Sequence, residues 1–300
     1  MSLPPSKMVR VIVNTDAKNE ADDQYAIVQA LLTPMFDLHC IMPAHFGTKK
    51  SGHSLKDSHD EVMTLLDLMG LEGKVRVIDG ATGAMPDERT PADSPGARFI
   101  IDQAMKDDPR PLHIAFLGPM TDMAAAILLE PRIVQRNVRV IWIGGGVWPV
   151  GGQEYNLSND IAAANVVFRS GIEIWQIPKP LYRVMAVSYA ELRERVEPHG
   201  RIGKYLVEQL IEHNAGRPEP LEHRSLGDSP AIGVMMYPEC GQSDWRAAPE
   251  FNALMNYEHT GRNRTVKVYT DIDQRYIHED FFAKLVRFHR GVQETAKFDG

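Results

Sequence analysis

The chain alternates short apolar, β-branched runs with longer stretches whose apolar residues recur at helical spacing. Val9–Val13, Leu38–Pro43, Val75–Ile78, His113–Leu117, Val138–Ile143 and Glu173–Ile177 read as strands buried on both faces. Between them, Asp22–Leu32, Ser58–Met69, Ala97–Lys106, Met120–Leu129 and Ile161–Arg169 have the spacing of amphipathic helices. A last strand over Thr265–Thr270 precedes a C-terminal helix over Glu279–Val292, where Phe281, Phe282 and Phe288 are expected core residues, as are Met235 and Met236. This alternation predicts one α/β domain over residues 1–300, a doubly wound, mostly parallel sheet flanked by helices. No repeat or low-complexity linker divides it; 1–8 reads as flexible and Glu212–Arg224 as a mobile loop between helices. Such sheets bind ligands beyond the carboxyl ends of their strands, so the strand-to-helix junctions are where chemistry is sought.

The first junction is the most unusual. Val9–Val13 runs into Asn14-Thr-Asp16-Ala-Lys-Asn19-Glu20-Ala-Asp22-Asp23-Gln24, which puts four carboxylates within eight residues after a buried strand. Converging carboxylates repel, and a hard cation such as Ca²⁺, which takes several oxygen ligands, resolves that repulsion. A second reading stands beside it: Asp22 and Asp23 as an acidic helix start, capping free N–H groups and complementing the helix dipole. Ala17, Lys18 and Ala21 do not fit an EF-hand loop, and no phosphate-binding loop occurs elsewhere.

Composition narrows the picture. The 300 residues are 43% hydrophobic, enough for a large core, and the net charge of -7 argues against a nucleic-acid partner. Cys40 and Cys240 lie far apart and form no metal spacing, which favours a reducing compartment. The N-terminus lacks a secretory apolar stretch, and no apolar run is long enough to span a membrane. A cytoplasmic protein is expected.

Four junctions, in order, carry a resemblance to the inosine-uridine-preferring nucleoside hydrolases. Asn14-Thr-Asp16 and Asp22-Asp23-Gln-Tyr-Ala26 match the two ends of that family's first loop, DxDPGxDDxxA, with Ala17–Ala21 as a two-residue-longer middle. Leu117-Gly-Pro-Met-Thr121-Asp-Met-Ala124 is similar to LGPLTNLA. Gly144-Gly-Gly146, Gln153-Glu154-Tyr-Asn156 and Asp160-Ile-Ala-Ala163 are similar to GG…AEFN…DPEAA. Leu226-Gly227-Asp228 stands where the family has a His-Asp pair. The chain looks like a divergent member of that family.

The resemblance implies the following. Ca²⁺ is the cofactor, held by the Asp16, Asp23 and Asp228 side chains and the Thr121 carbonyl; Asp16 also acts as general base, taking a proton from water. Asp22, Glu154 and Asn156 hydrogen-bond ribose hydroxyls. The activity is hydrolysis of the N-glycosidic bond of a ribonucleoside or related N-ribosyl compound, in a homodimer or homotetramer with neither nucleic acid nor membrane as partner. Carboxylates suit the oxocarbenium-like state such cleavage passes through. The chain also departs from the family pattern. Gly227 replaces the leaving-group His, with His223, Arg224, Tyr182 and His45 as candidate substitutes, and Ala44–Lys50 replaces a Gly-Asn pair. Trp148 stands near the place of a family Asn; it either stacks on a base, the favoured reading, or caps the core. The alternative function is a non-catalytic ribose- or nucleoside-binding protein on the same scaffold. Glu191, Glu194 and Glu197 read as a solvated helix face, and Asp271 and Asp273 as turn residues.

Overall fold

The computed structural model describes residues 4–216 and 222–298. The strands are β1 Val9–Thr15, β2 Phe36–Pro43, β3 Leu112–Phe116, β4 Val138–Ile143, β5 Glu173–Ile177, β6 Ala186–Ser188, β7 His223–Ser225, β8 Ser243–Ala247, β9 Glu250–Phe251, β10 Tyr257–Glu258, β11 Thr265–Tyr269 and β12 Lys297–Phe298. The helices are α1 Asp23–Leu31, α2 Ser54–Met69, α3 Pro95–Met105, α4 Thr121–Leu129, α5 Tyr155–Asn159, α6 Ile161–Ser170, α7 Lys179–Tyr182, α8 Tyr189–Arg195, α9 Gly200–Ala215, α10 Ser229–Met236 and α11 Gln274–His289.

Eight strands form one sheet in the order β12-β2-β1-β3-β4-β5-β11-β8. Every pairing in it is parallel except β11–β8. Alternation along the strands explains the two helical layers. In β1, Val11 and Val13 face one core with α1, α9, α10 and α11, while Ile12 faces the other with α3, α4 and α6. The first core is built on Tyr25, Leu206, Phe281 and Phe282, and the second on Phe116, Trp142 and Phe168. All of α1 is buried, so its apolar residues are not confined to one stripe. The expected mostly parallel, helix-flanked sheet is what the chain forms.

Some elements differ from expectation. Val75–Ile78 is not a strand; it touches β2 through a single bridge at Val77, because the chain turns away after two hydrogen bonds to Ile41. Helix runs through Ala215 and strand resumes at His223, so the two ends of the expected 212–224 loop are regular structure; 217–221 lie outside the described residues. Of the 1–8 segment, Pro5–Lys7 form a 3-10 turn, and 1–3 lie outside the described residues. Met235 is buried in α10 and Phe288 packs against the first core, as the spacing predicted. Both cysteines are buried free thiols. Among the described residues, no helix is long and apolar enough to cross a membrane.

The chain leaves β1 to make β2 on one side and returns to place β3 on the other. The crevice between the carboxyl ends of β1 and β3 is therefore the topological switch point.

Candidate functional site

A pocket of about 610 Å³ opens at that switch point. Residues after β1 (Asp16, Asn19, Glu20, Asp22, Asp23), at the ends of β3 and β4 (Leu117, Ile143), after β4 (Glu154, Tyr155, Asn156), after β5 (Lys179, Tyr182, Arg183) and in 223–228 (His223, Arg224, Ser225, Gly227, Asp228) line it.

Its floor is acidic. Carboxylate oxygens of Asp22, Asp23 and Asp228 lie within 4.8 Å of one another, and Asp23 and Asp228 are buried. Asp22 occupies the N-cap position of α1 but makes no side-chain cap hydrogen bond. Its Oδ2 instead accepts the Gly227 N–H at 2.9 Å, and its Oδ1 lies 3.6 Å from the Arg224 guanidinium. The helix-start reading of Asp22 is thus answered by geometry: the carboxylate turns toward the pocket. Thr15 donates to Asp23 at 2.5 Å.

Burial raises the Asp16 pKa well above its ordinary value, and Asp23 and Asp22 add to the effect. Burial raises Asp23 to about 6, against hydrogen bonds from Thr15 and Asp228. Asp228 is raised well above its ordinary value by burial, then by Asp23, Asp22 and Asp16. Holding Asp23 and Asp228 charged together is therefore unfavourable without a cation beside them. An all-oxygen donor set whose charged form is this unfavourable fits a hard divalent ion.

Gly118 shows how tightly Asp16 is held: a Cβ there would sit 2.8 Å from the Asp16 Cγ. Close approach of the β3 turn to Asp16 requires glycine. Asp16 is outside the trio that meets within 4.8 Å, yet is buried beside it and coupled to all three.

Glu154 is the N-cap of α5. Its Oε1 accepts Asn156 N–H at 3.1 Å and the Tyr182 hydroxyl at 2.9 Å; its Oε2 accepts Gly145 N–H at 2.9 Å and Leu157 N–H at 2.8 Å. Asn156 spends its Nδ2 on the Leu117 carbonyl at 2.6 Å and the Ile143 carbonyl at 2.8 Å, tying together the ends of β3 and β4. What Asn156 has left for a ligand is its Oδ1 acceptor.

Two expected positions fall elsewhere. Thr121 is buried but does not line the pocket; it donates to Asp160 Oδ2 at 2.7 Å and accepts from His45 Nε2 at 2.9 Å. Leu117, at the end of β3, reaches the pocket in its place. Trp148 is likewise outside the lining, its Nε1 donating to Gln176 at 2.9 Å and its ring packed on Tyr257 and His259. Its aromatic neighbours and Gln176 draw it into the scaffold, away from any base.

Of the four candidate leaving-group residues, His45 also misses the pocket, with burial lowering its pKa to about 4. Tyr182, Arg224 and His223 line it. Arg224 pairs with Glu20 as well as Asp22. Asn19, Tyr155, Lys179 and Arg183 were not singled out in the sequence, and Glu20 only as one of the four clustered carboxylates. The lengthened 17–21 loop and the stretch following β5 were the available signals, since switch-point sites draw on residues after the strands.

Fold and site together define a doubly wound α/β protein with a carboxylate-floored small-molecule pocket at its switch point. A family profile described as inosine-uridine preferring nucleoside hydrolase matches residues 11–279. The chain belongs to the inosine-uridine preferring nucleoside hydrolase family. It is 26% identical over 230 residues to a probable uridine nucleosidase 2 of Arabidopsis thaliana, covering 67% of this chain and 68% of that protein. Its fold is shared with a purine-preferring ribonucleoside hydrolase from Gardnerella vaginalis at TM-score 0.76 and 20% identity, covering 94% of this chain and 99% of that one. It is also shared with the type III effector protein XopQ complexed with adenosine diphosphate ribose, at TM-score 0.70 and 15% identity, covering 95% of each.

Proposed function

We propose that this chain hydrolyses the N-glycosidic bond of a ribonucleoside or a related N-ribosyl compound, releasing ribose and base, with Ca²⁺ as cofactor. The observation that carries the reading is the meeting of Asp22, Asp23 and Asp228 within 4.8 Å in the pocket, beside buried Asp16. Asp23 and Asp228 would hold the ion, with Asp16 and Asp22 at its edge and Leu117 rather than Thr121 as the main-chain candidate on the β3 side. When bound, Ca²⁺ supplies charge neutralisation and oxygen coordination for water and a vicinal diol.

The chain's own groups do the rest. Asp16, whose burial strengthens its hold on a proton, accepts one from the attacking water as its oxygen bonds to C1′. The C1′–N bond breaks, its electron pair leaves with the base, and the base takes up a proton from solvent. The acidic floor stabilises the positive charge that develops on the ribosyl ring. Asn156 Oδ1 accepts from a ribose hydroxyl. Glu154 already has a donor on each lone pair, so a ribose hydroxyl reaches it by displacing the Tyr182 hydroxyl.

A reducing-sugar assay over a panel of purine and pyrimidine nucleosides, in Ca²⁺ and in EDTA, tests this. Ribose release that disappears in EDTA and in Asp16→Asn is expected. Equal background release by wild type and Asp16→Asn on every substrate would sink it. A second reading, ligand binding without turnover, is supported by Gly227, which gives the leaving group no imidazole. Calorimetric ribose binding with no release over hours distinguishes it.

A further inference from the structure

The pocket has a second chemical zone that the ribose-and-cation reading does not use. Lys179 and Arg183 stand four residues apart, on α7 and its C-terminal cap, and both line the mouth. They flank Tyr182, whose hydroxyl points down to Glu154. The Lys179 ammonium donates to the Gln153 main-chain carbonyl at 2.8 Å, which leaves its charge unmatched by any carboxylate there. Arg183 is exposed and makes no ion pair among the described residues; its main chain is engaged, the N–H donating to the Lys179 carbonyl at 3.2 Å and the carbonyl accepting from Ser225 Oγ at 2.6 Å. His223 faces the same space from β7.

Arg224, the other lining cation, is different: Glu20 and Asp22 neutralise it, so it belongs to the acidic floor. The pocket is therefore divided into an acidic base and a mouth carrying two cations that no carboxylate among the described residues pairs with. At about 610 Å³ it is within the range of sites for whole small ligands, which run from roughly 300 to 1,000 Å³. A guanidinium and an ammonium one helical turn apart suit a phosphoryl group, the first as a planar fork and the second as a point charge.

We propose that Lys179 and Arg183 receive a phosphoryl group carried on the ribosyl unit, so that the ligand class is a 5′-phosphorylated N-ribosyl compound rather than a plain nucleoside. This rests on the ribose reading of the pocket floor.

Isothermal titration of the protein with D-ribose, ribose 5-phosphate and inorganic phosphate, all in Ca²⁺, tests it. Ribose 5-phosphate should bind about tenfold or more tightly than ribose, the gain expected of charge-assisted bonds, and should lose that advantage as salt rises. The Lys179→Ala/Arg183→Ala double variant should bring the ratio of the two affinities close to one. Equal affinities in wild type, a ratio preserved in the double variant, or inorganic phosphate binding as tightly as ribose 5-phosphate would each overturn this inference and leave the hydrolase reading intact. Binding of neither sugar would overturn both. The wild-type ratio and its salt dependence need no variant to fold.

Discussion

A cation held by the acidic floor, as proposed, should raise the thermal stability of this protein, and one substitution should act with opposite signs in the presence and absence of that ion. Two full charges 4.8 Å apart repel by about 3.5 kcal/mol at an effective dielectric of ~20. In EDTA, burial and mutual repulsion oppose ionisation of Asp23 and Asp228, so their charge at neutral pH is a cost to the fold. Ca²⁺ present at about a hundredfold over its dissociation constant adds ~2.7 kcal/mol. For a chain of 300 residues that corresponds to a rise in Tm of about 4 °C. Asp228→Asn keeps the shape and removes one charge. Its Tm in EDTA should match or exceed that of wild type, while its gain with millimolar CaCl₂ should shrink to less than about a third. Scanning fluorimetry of both proteins in EDTA and in CaCl₂ reads all four values. If Asp228→Asn retains the full calcium gain, or if calcium leaves the wild-type Tm unmoved, the convergence of these aspartates on one ion is refuted.

Other expectations follow from single contacts. Gly118→Ala drives a Cβ to 2.8 Å from Asp16 Cγ, so ribose release should fall by about 10² and stability by about 1–3 kcal/mol; undiminished kcat would contradict the role given to Asp16. Restoring the family imidazole by Gly227→His crowds Tyr182 Cδ2 at 3.3 Å and Asp22 Oδ2 at 3.0 Å, so it should destabilise by about 1–3 kcal/mol, and adding Tyr182→Ala should recover part of the loss in urea melts. Trp148→Ala should lower stability without altering nucleoside KM, because its ring packs on Tyr257 and His259 outside the pocket; a raised KM would return it to the site. Burial lowers His278 to about 4, so its neutral ring contributes stability that is fully present above the ordinary value of 6.5 and lost as pH falls through the folded one. His278→Phe should therefore flatten the fall in urea midpoint between those limits, and a slope identical to wild type would count against it.

Much of this was legible along the chain because burial leaves a local signature. β1, β3, β4 and β5 are covered on both faces, so apolar residues dominate each of them on both faces, with only isolated polar positions such as Arg10, His113, Arg139 and Gln176. β8 sits at the sheet edge with most of its side chains partly or fully exposed, and its polar sequence Ser-Asp-Trp-Arg-Ala carries no such run. Val75–Ile78 has the composition of a strand, but strand formation needs a partner along its length, and only Val77 meets β2. The acidic loop after β1 was conspicuous for the same local reason: carboxylates are rare directly after a buried strand.

What the sequence could not decide is which distant groups meet. Asp228 joins Asp22 and Asp23 only because α10 is packed against α1, and Glu154 becomes a capped, four-donor carboxylate only where β4 turns into α5 beside Tyr182. Thr121 matched a motif yet faces Asp160 and His45, while Leu117, four residues earlier, reaches the pocket, because β3 ends one residue before Leu117 and the chain has turned into α4 by Thr121. Lys179 and Arg183 carried no signal as separate cations. Hydrophobic periodicity records whether a residue is covered, a local property; the chemistry of the pocket depends on sheet order, which is set by contacts between residues far apart in the chain.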